Sequence, residues 1–233
     1  KFDWRTPLLV WSAFGILLGL VSFSILRGIS SKETARPTLR ISDWMGVLDR
    51  IRRLVPGFVF GGLGWSVTVF YAPSLLHHEF SIPMGRTGLY LALWIGLGTF
   101  SGYGYGFLSR RLGRRRVFLA SLGGGTLSLA LIGVAPGRSL AVAGLLLFGV
   151  FLLMTYPSLH TYVGSLVPRE IQTQAFSWVS NLQMISGALL GLLAGVLSDS
   201  FGIRSPFILS AVLSAAAFLY YLRPELRETI GRS

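Results

Sequence analysis

Cysteine is absent from all 233 residues, which excludes a disulfide framework and thiolate chemistry. Acids are scarce as well: nine Asp and Glu stand against 21 Lys and Arg, and none of the nine falls inside a long apolar stretch. Three histidines are present, and no metal-ligand cluster, phosphate-cradling glycine loop or nucleophile with a positioned base can be assembled around them. Enzymatic activity, a metal site and a bound cofactor are therefore not expected. Lysine occurs only at Lys1 and Lys32, so no Schiff base of the retinal kind can form in the last apolar stretch.

What the chain has instead is apolar length. With 52% hydrophobic and 13% charged residues and a mean hydropathy of +0.63, it is too apolar for a water-soluble domain, and the same composition excludes disorder. A net charge of +12 would suit nucleic acid only if gathered on one soluble face. Here the basic residues are separated by long uncharged stretches, so the expected partner is the lipid bilayer and not nucleic acid.

A helix needs about 20 apolar residues to cross a bilayer core. Seven charge-free runs meet that length: Pro7 to Leu26, Leu54 to Leu76, Thr87 to Leu108, Val117 to Ala135, Leu140 to Val167, Ile171 to Leu197 and Pro206 to Leu222. The last five are divided by short turns carrying Arg, Gly or Pro, as antiparallel neighbours are. Sixteen of the 21 basic residues fall on one side of this pattern, in 27–53, 110–116, 169 and 223–232. Lys1, Arg5, Arg86, Arg138 and Arg204 fall on the other. Basic loops are retained in the cytoplasm, which predicts a multi-pass protein of the cell membrane with its carboxyl terminus inside.

The chain also repeats itself. Phe2-Asp3-Trp4-Arg5-Thr6-Pro7 before the first run matches Phe201-Gly202-Ile203-Arg204-Ser205-Pro206 before the last: an aromatic, Arg, a hydroxyl and Pro at the same spacing, with Pro in the first helical turn. If homologous, the first and seventh runs are equivalents in two parallel six-helix repeats, a known transporter plan. The chain is then expected to begin within a longer protein.

The loop Gly106-Phe107-Leu108-Ser109-Arg110-Arg111-Leu112-Gly113-Arg114-Arg115-Arg116 resembles the Gly-x-Leu-x-Asp-Arg-x-Gly-Arg-Arg loop of the major facilitator superfamily. Arg110 stands where the family has its acid, removing the partner of the family's helix-end salt bridge. Pro168-Arg169-Glu170 with Gln174-Ala175, and Gly195-x-x-x-Asp199-x-x-Gly202-x-Arg204, resemble the family's tenth-to-eleventh and eleventh-to-twelfth loops. The resemblance implies an all-α polytopic bundle with seven of an expected twelve spans: residues 1–26 as the last helix of an amino-terminal half, 27–53 as the cytoplasmic linker and 54–233 as the carboxyl-terminal half. It also implies a missing amino-terminal half as partner. In the linker, Ile41, Trp44, Leu48 and Ile51 recur at helical spacing, predicting an interfacial amphipathic helix.

Two rows of small residues stand out, Gly98-Gly102-Gly106 and Gly187-Gly191-Gly195. At four-residue intervals they form flat strips for close helix packing, expected to face the missing half. Candidate pathway residues are the polar and aromatic groups inside the runs. His160 and Tyr156 share a face with Pro157 between them, against the alternative of a neutral His satisfied by a neighbouring helix. Trp178 and Asn181, with Gln174, form a second stripe, and Trp65, Thr68 and Tyr71 a third, near the bendable Pro73. The expected function is secondary transport of a small neutral or weakly polar solute by alternating access, coupled to an ion. A seven-helix receptor, a non-transporting membrane fragment and a hydrolase built on Ser158 or Ser165 with His160 are the alternatives. The hydrolase is disfavoured because neither serine pairs with the histidine along one helix.

Overall fold

A computed structural model describes residues 5–27, 46–49 and 51–223. Contacts divide the chain into two units, Lys1–Ile41 and Ser42–Ser233. The first contains α1, Arg5–Leu26, whose 22 residues give about 33 Å of helix. Within it Trp11 and Phe14 meet edge to face at 6.1 Å, and Ser24 Oγ donates to the Leu20 carbonyl at 2.9 Å.

The second unit is a six-helix bundle: α2 Val55–Ser74, α3 Met84–Leu112, α4 Arg114–Val134, α5 Arg138–Leu166, α6 Gln172–Phe201 and α7 Ser205–Leu222. Counting both units, six helices are long and apolar enough to cross a membrane. Each of the seven runs read from the sequence forms a helix, and six of them meet that measure. The exception is α3, which at 29 residues has ample length but spends much of it on Gly, Ser, Thr and Tyr in place of aliphatic side chains.

Each break has a local cause. Gly113 (φ +87°, ψ 142°) ends α3 and caps α4, and Gly202 (φ +86°) ends α6, in backbone conformations that a Cβ disfavours. Pro56 and Pro206 sit in first turns, where a missing N–H costs nothing. After the internal Pro73, α2 relaxes into a wider π turn at Leu75–Glu79. In both copies of the sequence repeat, at α1 and α7, the helix starts at the residues just before proline.

The closest helix pairs are α3 with α5, α4 with α5 and with α7, and α2 with α6. The centre is aromatic: Phe58, Phe60, Phe118, Phe148, Tyr162, Phe207 and Tyr221 are all buried. Phe118 meets Tyr162 and Tyr221 edge to face at 5.7 and 4.9 Å, and Phe60 meets Phe148 at 6.2 Å. Since lipid is as apolar as these side chains, dispersion and interhelical hydrogen bonds, not water exclusion, hold the helices together.

The glycine rows supply those close approaches, but within the bundle. A Cβ on Gly98 would lie 2.6 Å from the Gly149 carbonyl of α5, and one on Gly187 would lie 2.8 Å from the Gly62 carbonyl of α2. Gly191 abuts Ser66, and Gly195 abuts the Tyr71 hydroxyl. The expectation that both strips face a missing half is therefore corrected: α3 uses its strip on α5 and α6 uses its strip on α2. Gly106 alone among the six borders nothing closer than the Arg110 guanidinium.

Each end of the bundle is tied by an arginine. At the start of α7, Arg204 donates from Nε to Glu79 and from Nη1 to the Ala135 carbonyl, both at 2.9 Å, with its guanidinium 5.3 Å from the Phe80 ring centre. At the other end, Arg115 Nη2 reaches the Tyr221 carbonyl at 3.4 Å, and the Gly57 N–H donates to the Tyr221 hydroxyl at 3.0 Å.

The short helical segment before α2 differs from its expected pattern. Ile51 is buried in the bundle as the predicted face requires, but it is joined by Val47 and Leu54 while Leu48 is exposed, so the segment packs on protein through a face turned away from Leu48. Ile41, Trp44 and Arg50 lie outside the described residues, as do Lys1, Lys32, Arg36, Arg40, Arg227 and Arg232.

Candidate functional site: a cleft between two glycine-paired helices

Glycines bring α2 and α6 together, and the same pair opens into a cleft of about 470 Å³. Trp65, Ser66 and Phe70 line it from α2, Gln183 and Met184 from α6, and Tyr156 from α5. Trp65 is 42% exposed and leans on Trp94 of α3, ring centres 5.4 Å apart. Tyr156 donates to the Gly61 carbonyl at 3.0 Å, which fixes its ring against the wall.

Two polar groups in this wall are unspent, the Ser66 hydroxyl and the Gln183 amide. Gln183 Nε2 is buried, lies 2.8 Å from where a Gly61 Cβ would sit, and has no hydrogen-bond partner among the described residues. A buried amide donor without a partner costs free energy until something accepts from it. The cleft as built thus offers aromatic and thioether surface, two waiting donors, the Ser66 hydroxyl and the Gln183 amide, and no charged side chain in its wall. Such a wall suits an uncharged, largely apolar ligand bearing one or two acceptors.

Of the sequence-predicted pathway residues, the structure places Trp65 and Tyr156 on this wall. The others lie elsewhere. His160 is wedged between α2 and α6, stacked on Phe176 at 5.5 Å and edge-on to Phe58 at 6.4 Å, with Nδ1 2.8 Å from the Tyr156 carbonyl. Thr68 is buried in the core. Tyr71 is a helix staple, donating to the Gly191 carbonyl at 2.7 Å. Trp178 is half-buried and Asn181 exposed, neither on the cleft. On α6 the lining residues are Ser180, Gln183, Met184, Gly187 and Ala188, a stripe roughly a third of a turn from the predicted one. Gln183 was missed, although an amide four residues before a strip glycine in a charge-free run was visible in the sequence.

Pro157 acts as its chemistry requires. Lacking an N–H, it leaves the Leu153 carbonyl free, and Gly102 of α3 lies against that oxygen, 3.4 Å from where its Cβ would be. One turn away, Ser101 Oγ donates to the Val150 carbonyl at 2.6 Å. In the basic loop Arg110 is exposed, and Arg111 stacks over Phe107 at 4.3 Å. The described ion pairs are Arg52 with Asp49 and Arg204 with Glu79, so Arg110, Arg111, Arg114 and Arg115 have no carboxylate among the described residues. At the start of α6, Gln172 stitches α5 to α6, donating to the Gly164 carbonyl at 2.9 Å.

The fold and cleft together define an all-α, multi-pass membrane protein. The chain belongs to the Major Facilitator Superfamily, whose profile matches residues 1–189 and 54–232. It is 30% identical over 135 residues to the multidrug resistance protein MdtG of Yersinia enterocolitica, covering 55% of this chain and 31% of that protein. It is 34% identical over 122 residues to MdtG of Enterobacter lignolyticus, covering 51% and 28%. Among solved structures, the crystal structure of a bacterial homologue of the iron transporter ferroportin in its outward-facing state superposes with a TM-score of 0.67 at 18% identity, over 87% of this chain and 52% of that one. The matches thus span about a third of the curated relatives and about half of the solved chain. The receptor alternative falls with the family assignment.

Proposed function

We propose that this chain is the carboxyl-terminal part of a facilitator-type exporter of small, largely apolar, uncharged molecules, working by alternating access. The observation that carries the reading is the α2–α6 cleft, with its aromatic wall and the unpartnered Gln183 amide and Ser66 hydroxyl. The MdtG relatives, named for multidrug resistance, support the same solute class. The repeat and the loop motifs support placing α1 to α7 as the sixth to twelfth helices, with the Arg-rich loop and carboxyl terminus in the cytoplasm. No carboxylate lines the cleft, which favours an ion-coupling group in the amino-terminal half. The iron named for the ferroportin homologue is a poor fit here, since a metal cargo calls for oxygen or nitrogen ligand clusters and the described residues hold none.

The test is efflux of a lipophilic fluorescent dye from pump-deficient bacteria expressing the protein. Faster dye loss than in empty-vector cells is expected, and Gln183→Leu should narrow the range of exported compounds towards those without an acceptor. Equal dye retention with the protein present in the membrane would refute transport of this class.

A further inference from the structure

At the end of the bundle opposite the Arg-rich loop lies a second cavity that shares no lining residue with the α2–α6 cleft. It measures about 250 Å³, and its wall includes Ser81, Arg86, Tyr90, Arg138 and Ser139. Three described arginines of the second unit lie at this end, and their circumstances differ. Arg204 is neutralised by Glu79 and the Ala135 carbonyl. Arg86 and Arg138, both exposed, line the cavity with no carboxylate in its wall, and among the described residues neither side chain has an ion pair or a hydrogen bond.

Two arginines on the wall of one small cavity, with no carboxylate beside them, make it a favourable place for an anion. The surroundings add to the positive potential. α3 starts at Met84, directly after the lining residue Pro83, and α5 starts at Arg138, so the unbonded N–H groups of two first turns belong to this end. Three hydroxyls, from Ser81, Tyr90 and Ser139, offer neutral donors for further oxygens.

We propose that this cavity binds a phosphate-bearing anion, with Arg86 and Arg138 as its two charged donors. Arginine's planar fork matches tetrahedral oxyanions, and the volume leaves room for the ester group of a phosphate mono- or diester. A soluble phosphate ester and a lipid headgroup share this chemistry, and the experiment separates them.

The chain purified in detergent is titrated with inorganic phosphate by calorimetry against chloride at equal ionic strength. In parallel, retention of phosphatidylglycerol against phosphatidylcholine is read by native mass spectrometry from mixed nanodiscs. Arg86→Gln and Arg138→Gln should each weaken binding about tenfold, as loss of a charged hydrogen bond does, and the double variant should abolish it. Arg111→Gln, which removes the same charge at the other end, should bind as the parent does. Phosphate binding without lipid selectivity identifies a soluble ligand, and lipid selectivity without phosphate binding identifies a headgroup. No preference for either anion, or full binding by a monodisperse double variant, would overturn the proposal.

Discussion

Gly98, Gly102 and Gly106 share a spacing but not an environment, and alanine at each should therefore act differently. At Gly98 the new Cβ would lie 2.6 Å from the Gly149 carbonyl and 2.5 Å from Leu153 Cδ1, and the carbonyl cannot rotate away as a side chain can. α3 and α5 must separate by about half an ångström, and overpacking of this kind costs about 1–3 kcal/mol. Helix propensity returns about 1 kcal/mol on replacing glycine by alanine. The net loss of up to about 2 kcal/mol lowers the melting temperature by up to about 8 °C in a bundle of this size. At Gly102 the nearest atom is the Leu153 carbonyl at 3.4 Å, an ordinary contact, so the propensity gain and the slight crowding cancel. At Gly106 only the mobile Arg110 Nη1 lies near, at 3.8 Å, and alanine should stabilise by about 0.5–1 kcal/mol. Fluorescence-detected size exclusion after a heat ramp reads all three in one detergent. A Gly98→Ala protein that melts at or above the parent temperature, or three equal shifts, would refute the packing argument.

Gly113→Ala forces a Cβ into a φ of +87° and should cost about 1–3 kcal/mol, read as a lower melting temperature; a neutral effect would mean that the α3–α4 turn relaxes freely. Arg204→Lys keeps the charge but cannot hold both Glu79 and the Ala135 carbonyl in one plane, so it should destabilise nearly as much as Arg204→Ala, by about 1–3 kcal/mol in the same melt. Tyr71→Phe loses the bond to the Gly191 carbonyl and should cost about 0.6–1.7 kcal/mol, the range of interhelical hydrogen bonds in lipid.

Much of the architecture was written in where charge is missing. Uninterrupted apolar runs, broken at Gly113, by the Ala135-Pro136-Gly137 turn and at Gly202, located the helices within a few residues. Which helices pair was not legible. A glycine every fourth residue announces close approach but carries no address, and the partner of α3 is α5, not a neighbour in sequence. The facing of α6 was hidden for a related reason. In a helix apolar on every side, polarity no longer separates inside from outside, so the stripe of Trp178 and Asn181 looked more telling than Gln183, which faces the cleft. Tyr156 stood out because it shares a helix face with His160, and Trp65 because it recurs with Thr68 and Tyr71 at intervals of three; both line the cleft. The shift from Leu48 to Val47 in the segment before α2 came from packing on protein, which periodicity alone cannot distinguish from packing on lipid.

The two arginine ties bear on how the protein is made. Arg204 closes the turns that contain Glu79 and Ala135, and Tyr221 receives both Arg115 and Gly57, so each end of the bundle is fastened by a residue at or within α7. Chains are synthesised from the amino terminus, and α2 to α6 must therefore wait in the bilayer unfastened at both ends until the final hairpin arrives. Ribosomes that stall before residue 204 leave five helices with neither tie, a ready substrate for membrane quality control.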